Sequence, residues 1–327
     1  MRKTGRSIAI LCLMAFFVSL RGHTAPHYDQ HDDHSGAHML IPPIEGDPKI
    51  DVGLARIGWH LFRDKNLSSN GNVSCESCHD LQTNGATKDA LTSGVKGTGT
   101  RNPPTIFNVS LNYRYLWDAS KNSLMKQIDG PLMNPTGMDS SWPVVQDYVR
   151  SQPSYQILFK QADNLAVNTE NIKLAIVEFL KAMQTPGARF DAFLQGNKHV
   201  LNEKERRGWE VFQEVGCALC HQGKNIGGAM VQHFDYFKEV DSDTGSFLRT
   251  EDGMDQYYFR VTSLRNVTQT APYFHNGRIN TLEEAIQIMA ESELGMRLSD
   301  RDAADIEAFL HTLTAPRPSI LEVFENE

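Results

Sequence analysis

The chain is poor in cysteine, in long apolar runs and in positive charge. Five cysteines occur among 327 residues, too few for the dense disulfide framework of a small exported domain. The longest apolar run, Ile8 to Leu20, falls short of the roughly 18 residues that a membrane-spanning helix needs. Lys and Arg number 32 against 40 Asp and Glu, a net charge of −8. That acidic balance argues against nucleic acid as a partner, because such binding rests on neutralising phosphates with basic side chains. No stretch alternates apolar and polar residues long enough to argue for a substantial sheet, so the chain is read as all-α. Hydrophobic content of 40% and charged content of 22% describe an ordinary globular protein. The length suggests two domains at ~150 residues each.

Arg2, Lys3 and Arg6 precede the apolar run in the manner of a secretory signal. The expectation is a signal over residues 1–25, ending near Gly22 or Ala25, and export to the periplasm. An uncleaved anchor is the alternative. Loss of Arg2, Lys3, Arg6 and Arg21 takes the charge from −8 to −12. Residues 26–46 are expected to be a flexible, histidine-rich segment. His23, His27, His31, His34 and His38 would share one face of a helix and bind copper or zinc, whereas Pro26 and the nearby aspartates favour a flexible tail.

Cys12 lies within the first segment. The other four cysteines form two pairs of equal spacing, each followed at once by histidine: Cys75-Glu76-Ser77-Cys78-His79 and Cys217-Ala218-Leu219-Cys220-His221. This C-x-x-C-H pattern is the attachment signature of c-type haem. Two thiols three residues apart can form thioethers with the haem vinyl groups, and the adjacent histidine can reach the iron. Two exported disulfides or a zinc site at each pair are the rivals. Neither accounts for a histidine after both pairs.

The halves repeat. Gly58-Trp59-His60-Leu61-Phe62 precedes the first motif and Gly208-Trp209-Glu210-Val211-Phe212 the second. Both stretches are predicted helices, the second capped by Asn202 with Glu205 three residues on. After each motif, Asn108-Val109 leads to Trp117 and Leu124, and Asn266-Val267 leads to His275 and Leu282, an offset of 158 in each case. The motifs themselves are 142 apart, so the second half carries about sixteen extra residues between Gln222 and Val261, read as a long loop rich in Gly, Asp and aromatics. Ile172 to Met183 is a predicted helix, ended by Thr185-Pro186-Gly187. The expected domains are 47–186 and 187–327. The last helix is expected to start at Ser299.

The far side of each iron decides the chemistry. Thr281-Leu282-Glu283-Glu284 opens a helix whose buried face holds Leu282, Ala285, Ile286 and Met289. Met289 is open to two roles, core packing or axial thioether ligation, which would saturate the iron. The offset of 158 carries Met289 back to Pro131, which cannot ligate iron. Gln127 shares a helical face with Leu124 and Ile128. It fits either the edge of the surface or a distal hydrogen-bonding position. One closed and one open haem are therefore expected.

The chain resembles the bacterial di-haem cytochrome c peroxidases and the related MauG-type enzymes, from about Ile50 to Thr314. The resemblance rests on Leu67-Ser68-Ser69-Asn70-Gly71, Arg101-Asn102-Pro103-Pro104-Thr105, Leu116-Trp117-Asp118, Gly130-Pro131, Leu264-Arg265-Asn266-Val267 and Ala271-Pro272-Tyr273-Phe274-His275-Asn276-Gly277, beside the motifs already quoted. It implies two class-I cytochrome c-like domains, each around one covalently bound haem. His79 would hold the low-potential peroxidatic haem, and His221 with Met289 the high-potential electron-transfer haem. Trp117 would relay electrons, with core packing as its plainer role. Gln127 and Pro131 match distal-pocket positions, and His275 a histidine near the second haem. Asn102, Thr270 and Pro272 match residues around a calcium ion. The partners implied are hydrogen peroxide, a small cytochrome c or cupredoxin donor, and a second copy of the chain in a homodimer.

Two departures stand out. The loop from Leu91 to Thr100 has no histidine, where many members place one that leaves the iron on activation, so the first haem is expected to be open at rest. Gly137 stands where the family has a proton-handling glutamate, and Asp139 or a water is the candidate substitute. Three activities remain in view: a peroxidase, a MauG-like oxidation of a protein partner, and plain electron carriage.

Overall fold

The computed structural model describes residues 41–326; the predicted signal and His23, His27, His31, His34 and His38 lie outside them. Among the described residues twelve α-helices follow in order: α1 (Val52–Arg63), α2 (Leu124–Gln127), α3 (Asp129–Met133), α4 (Trp142–Ser151), α5 (Pro153–Gln161), α6 (Thr169–Ala182), α7 (Arg189–Leu194), α8 (Glu203–Glu214), α9 (Phe247–Thr250), α10 (Leu282–Leu294), α11 (Asp300–His311) and α12 (Ile320–Glu325). The strands are two short antiparallel pairs, β1 (Ser93–Gly94) with β2 (Gly97–Thr98), and β3 (Val231–His233) with β4 (Tyr258–Arg260). The helix-rich expectation holds.

The long helices begin where side chains satisfy orphaned backbone N–H groups. Asp51 accepts from Leu54 N at 2.9 Å and Asn168 from Asn171 N at 2.9 Å. Asn202 and Glu205 form the expected reciprocal capping box of α8. Ser299 accepts from Asp302 N to open α11. It does not open the last helix: α12 follows, a single uncapped turn and a half behind Pro316 and Pro318, and its Leu321 and Phe324 are buried.

Two helix pairs carry the repeat. The apolar face of α1, with Ile57, Leu61 and Phe62, packs on α6, and α8 packs on α11. Each pair crosses at a glycine. A Cβ on Gly58 would collide with the Ala175 carbonyl, and one on Gly208 with the Asp305 carbonyl. Hydrogen at that position lets the backbones touch, and burial of each flanking Leu, Ile or Phe contributes about 1.5–3 kcal/mol.

One apolar core gathers residues between 54 and 183 together with Leu321 and Phe324 of α12. A second gathers Ile41 and residues between 190 and 313. The described chain ends thus cross over, each packing into the core built by the other half. The segment after Gln222 is more ordered than a long loop. It supplies β3, β4 and α9, and its Phe234, Phe237 and Phe259 build a third cluster with Ile279, Ala285 and Ile288. Burial of those aromatics is what orders it.

Candidate active site

Each core opens on a cavity, and each cavity has a C-x-x-C-H segment in its wall. The first cavity is lined by Cys75, Cys78 and His79 with Phe62, Ile106, Gln127, Ile128, Pro131, Gly137 and Trp142. The second is lined by Cys217, Cys220 and His221 with Trp117, Arg260, His275, Met289 and the apolar face of α10. Mostly apolar hollows with a few polar groups in the wall suit a cofactor. All four thiols are free.

Both motifs are tight turns. His79 N donates to Cys75 O and His221 N to Cys217 O, each at 3.0 Å. This bond sets each histidine one turn from its first cysteine. Burial pushes the Cys75 thiol up to about 12 and the Cys217 thiol up to about 11. Burial also pushes the His79 and His221 imidazoles down to about 4. Each ring opens on its cavity, so it keeps some surface while lying deep within the protein. Nearby carbonyls oppose the shift, those of Pro104 and Gly85 at His79 and of Ile226 and Thr262 at His221. Both imidazoles are neutral at pH 7, the form that ligates iron. His221 Nδ1 faces Ile226 O at 3.4 Å, which leaves Nε2 for a metal.

The sequence-predicted residues divide between the two cavities. Gln127 and Pro131 line the first, and Gln127 is the carboxamide of its wall. Met289 lines the second along with Leu282, Ala285 and Ile286, as their shared helical face requires. Trp117 lines the second cavity and is not among the residues of the first. Its indole Nε1 donates to Asn102 O at 2.7 Å, and its ring meets His275 edge-on at 6.1 Å. His275 is buried, stacks on Phe259 at 4.3 Å and lies 3.4 Å from Asp241 Oδ2. Burial holds this imidazole below its ordinary pKa, against the carboxylates of Asp243 and Asp241.

Of the residues matched to calcium, Asn102 donates its backbone N–H to His275 O at 2.6 Å and its amide to Asp89 O and Ala90 O. Thr270 donates its hydroxyl to Val267 O, and Pro272 is buried. Among the described residues no group of three His, Cys, Asp or Glu is arranged to hold a metal ion.

Asp139, the candidate acid beside Gly137, is engaged outside the first cavity. Its carboxylate is held by Lys96 Nζ at 2.8 Å and Ser69 Oγ at 3.0 Å, and it does not line the first cavity. The loop from Leu91 to Thr100 forms the β1–β2 hairpin and hydrogen-bonds to Gly137 O and Pro135 O through Val95 and Lys96. None of its residues lines the first cavity.

Two features escaped sequence reasoning. Trp142, in the wall of the first cavity, donates Nε1–H to Asp129 Oδ1 at 2.7 Å, and Lys173 Nζ reaches the same oxygen at 2.7 Å. Lys173 also lies 5.2 Å over the Trp142 ring. Ser141-Trp142-Pro143 signals only a helix start, and nothing in it announces the cavity. Arg260 is the second feature, a buried cation in the second cavity, hidden in the stretch read as loop.

A family model described as di-haem cytochrome c peroxidase matches residues 53–199. The chain is 35% identical over 287 residues to a cytochrome c551 peroxidase of Nitrosomonas europaea, covering 86% of each chain. It is 34% identical over 330 residues to a cytochrome c551 peroxidase of Pseudomonas aeruginosa, covering 96% of this chain and 95% of that one. Among solved structures, a MauG-like protein associated with microbial copper homeostasis superposes with a TM-score of 0.74 at 26% identity, covering 84% of this chain and 95% of the other.

Proposed function

Because the chain belongs to the di-haem cytochrome c peroxidase family, we propose that it reduces hydrogen peroxide to water with electrons from a small cytochrome c or cupredoxin, through two haems attached at Cys75 and Cys78 and at Cys217 and Cys220. It is an oxidoreductase of the peroxidase type. The observation that carries the assignment is the pair of mostly apolar cavities, each with one C-x-x-C-H turn in its wall.

The residues present fit the group. Free thiols three residues apart, a neutral imidazole beside them and an apolar hollow are what covalent haem requires. Haem, when bound, would supply an iron that changes oxidation state, taking electrons from the donor and passing two to peroxide as the O–O bond is cleaved. His79 and His221 are the proposed proximal ligands, and Met289 the second protein ligand at His221. Pro131 offers no ligand on the His79 side. Gln127 is the proposed hydrogen-bonding partner of peroxide in the first cavity, whose wall it shares with the apolar Ile128, Leu132 and Met138. The Trp117 indole, fixed by Asn102 O, is the proposed conduit between the cavities. A calcium ion at Asn102, Thr270 and Pro272 would rest on backbone carbonyls.

The reading extends to an exported, periplasmic protein. Among the described residues no helix is long and apolar enough to cross a membrane. The test is peroxide consumption with a reduced small cytochrome as donor. Turnover no faster than that of free haem removes the proposal.

A second reading, oxidation of residues on a protein partner, draws support from the first cavity, whose lining holds no Asp or Glu, and from the MauG-like fold neighbour. Mixing the holoprotein with peroxide and exported partners, then mapping new modifications by mass spectrometry, separates the two.

A further inference from the structure

We propose that Arg260 is the anchoring cation for a carboxylate of the cofactor in the second cavity, a contact that also ties the cofactor to the Leu116–Trp117 segment. The inference rests on reading that cavity as a haem site.

Arg260 ends β4, so pairing with β3 fixes its backbone. The residue is 6% exposed and lines the cavity that also holds Cys217, Cys220 and His221. Its guanidinium is only partly satisfied. Nε donates to Leu116 O at 3.1 Å, and Nη1 is buried with no hydrogen-bond partner. Among the described residues no carboxylate forms an ion pair with it.

The titratable group that acts on its charge is Tyr115, a phenol whose hydroxyl already donates to Asn112 O at 2.8 Å. Burial raises that phenol's pKa, so it supplies no anion at neutral pH. Glu293 also lines the cavity, but it makes no ion pair with Arg260 and burial raises its pKa too. Desolvation pushes the Arg260 guanidinium itself down to about 10, which still leaves it charged.

A buried, charged, half-satisfied guanidinium is costly to keep unless an anion joins it. Its fork geometry suits a carboxylate, which it can hold through two parallel bonds. Haem carries two propionate carboxylates, and no other anion is needed to fill the role. The backbone adds a second link. Arg260 N donates to Trp117 O at 2.7 Å, so one residue grips both carbonyls of the Leu116–Trp117 pair. Arg260 is therefore a positioning residue, which sets the charge beside the cofactor and the approach of Trp117 to it.

The experiment is a spectroelectrochemical titration of holoprotein carrying Arg260→Met or Arg260→Lys, after haem per chain has been counted in each. A nearby cation favours the reduced iron. Arg260→Met is expected to lower the midpoint potential of the second haem and leave the first unmoved, while Arg260→Lys, which keeps the charge, stays closer to the parent. Should Arg260→Met fail to assemble, Arg260→Gln, which keeps a donor for Leu116 O, carries the same comparison. Two haems per chain with an unmoved second potential in the uncharged variant overturn the anchoring role. Fewer than two haems in the parent protein overturn instead the reading of the cavities.

Discussion

Asn108 and Asn266, 158 residues apart, both hand a side-chain amide N–H to the hydroxyl of Thr185, at 2.7 and 3.0 Å. Both asparagines are fully buried and both sit in the left-handed region, at φ 60° and 59°. Asparagine tolerates that region better than most residues. Their amide oxygens accept from Thr185 N and Ala315 N at 2.8 and 2.9 Å. The two copies of the repeat are thus joined through one hydroxyl on the link between α6 and α7. Thr185→Val keeps the shape and deletes the acceptor, leaving two buried donors unsatisfied. The expected loss is about 2–6 kcal/mol, from ~1–3 kcal/mol per orphaned group. Thermal unfolding of the holoprotein measures it, with Thr185→Ser as the reference that retains the bonds. Equal stability of the two variants would refute the joint.

Two glycines of α1 separate close packing from helix propensity. At Gly58 an added methyl runs into the Ala175 carbonyl and Phe179 Cβ. Gly58→Ala must push α1 off α6, and overpacking of this kind costs typically ~1–3 kcal/mol or more. At Gly53 the same methyl meets no backbone carbonyl: Asp51 Oδ1 at 3.3 Å is a side-chain atom that need give only a few tenths of an ångström, and Ala162 Cβ at 3.5 Å is in ordinary contact. Gly53→Ala is expected to be neutral or to stabilise by up to about 1 kcal/mol through helix propensity. Denaturant unfolding of both variants gives the comparison, and a similar effect at the two sites would contradict the crossing.

What could be read from the sequence depended on how local its cause was. The haem motifs, the Asn202 capping box and the α6 stripe are set by neighbours a few residues apart, and all were legible. The 158-residue offset was visible as repeated Asn-Val pairs, yet Thr185 as their common partner was not, because that meeting is tertiary. The third aromatic cluster was missed for the same reason: Phe234, Phe237 and Phe259 lie in Gly- and Asp-rich sequence that reads as loop until Ile279, Ala285 and Ile288 arrive from elsewhere. Asp139 stands two residues from Gly137 in the sequence, and Lys96, forty-three residues away, claims its carboxylate.

In the chain before haem is attached, the buried His79 and His221 imidazoles predict an acid limit. Each imidazole titrates near 6.5 when unfolded and near 4 in the fold. The unfolded chain therefore binds more protons between those values, and stability rises with pH there. The contribution is complete above pH ~6.5 and is lost as pH falls toward 4, at up to about 1.4 kcal/mol per pH unit for each histidine. Urea midpoints of the haem-free chain measured from pH 8 to pH 4 should be flat at first and then decline. A midpoint unchanged down to pH 4 would mean that the two rings are not held neutral by burial.

Restoring the family's acid at Gly137 should fail. Gly137 lies in the wall of the first cavity, and the space for its Cβ is taken by the Pro131 carbonyl. That carbonyl is held in place, because it accepts from Met138 N at 3.0 Å. The Gly137 carbonyl is pinned in turn by Val95 N at 2.9 Å. Gly137→Glu must break this turn before its carboxyl can reach the cavity. The expected result is a lower melting temperature with no gain in peroxide turnover. Gln127→Leu tests the machinery that is present. It removes the wall's amide at nearly constant volume, and turnover should fall ~10²–10³-fold while haem content and melting temperature hold, since positioned polar groups of this kind contribute at about that level. A Gly137→Glu protein that folds normally and turns over faster would mean that the turn yields readily and that the cavity was waiting only for an acid.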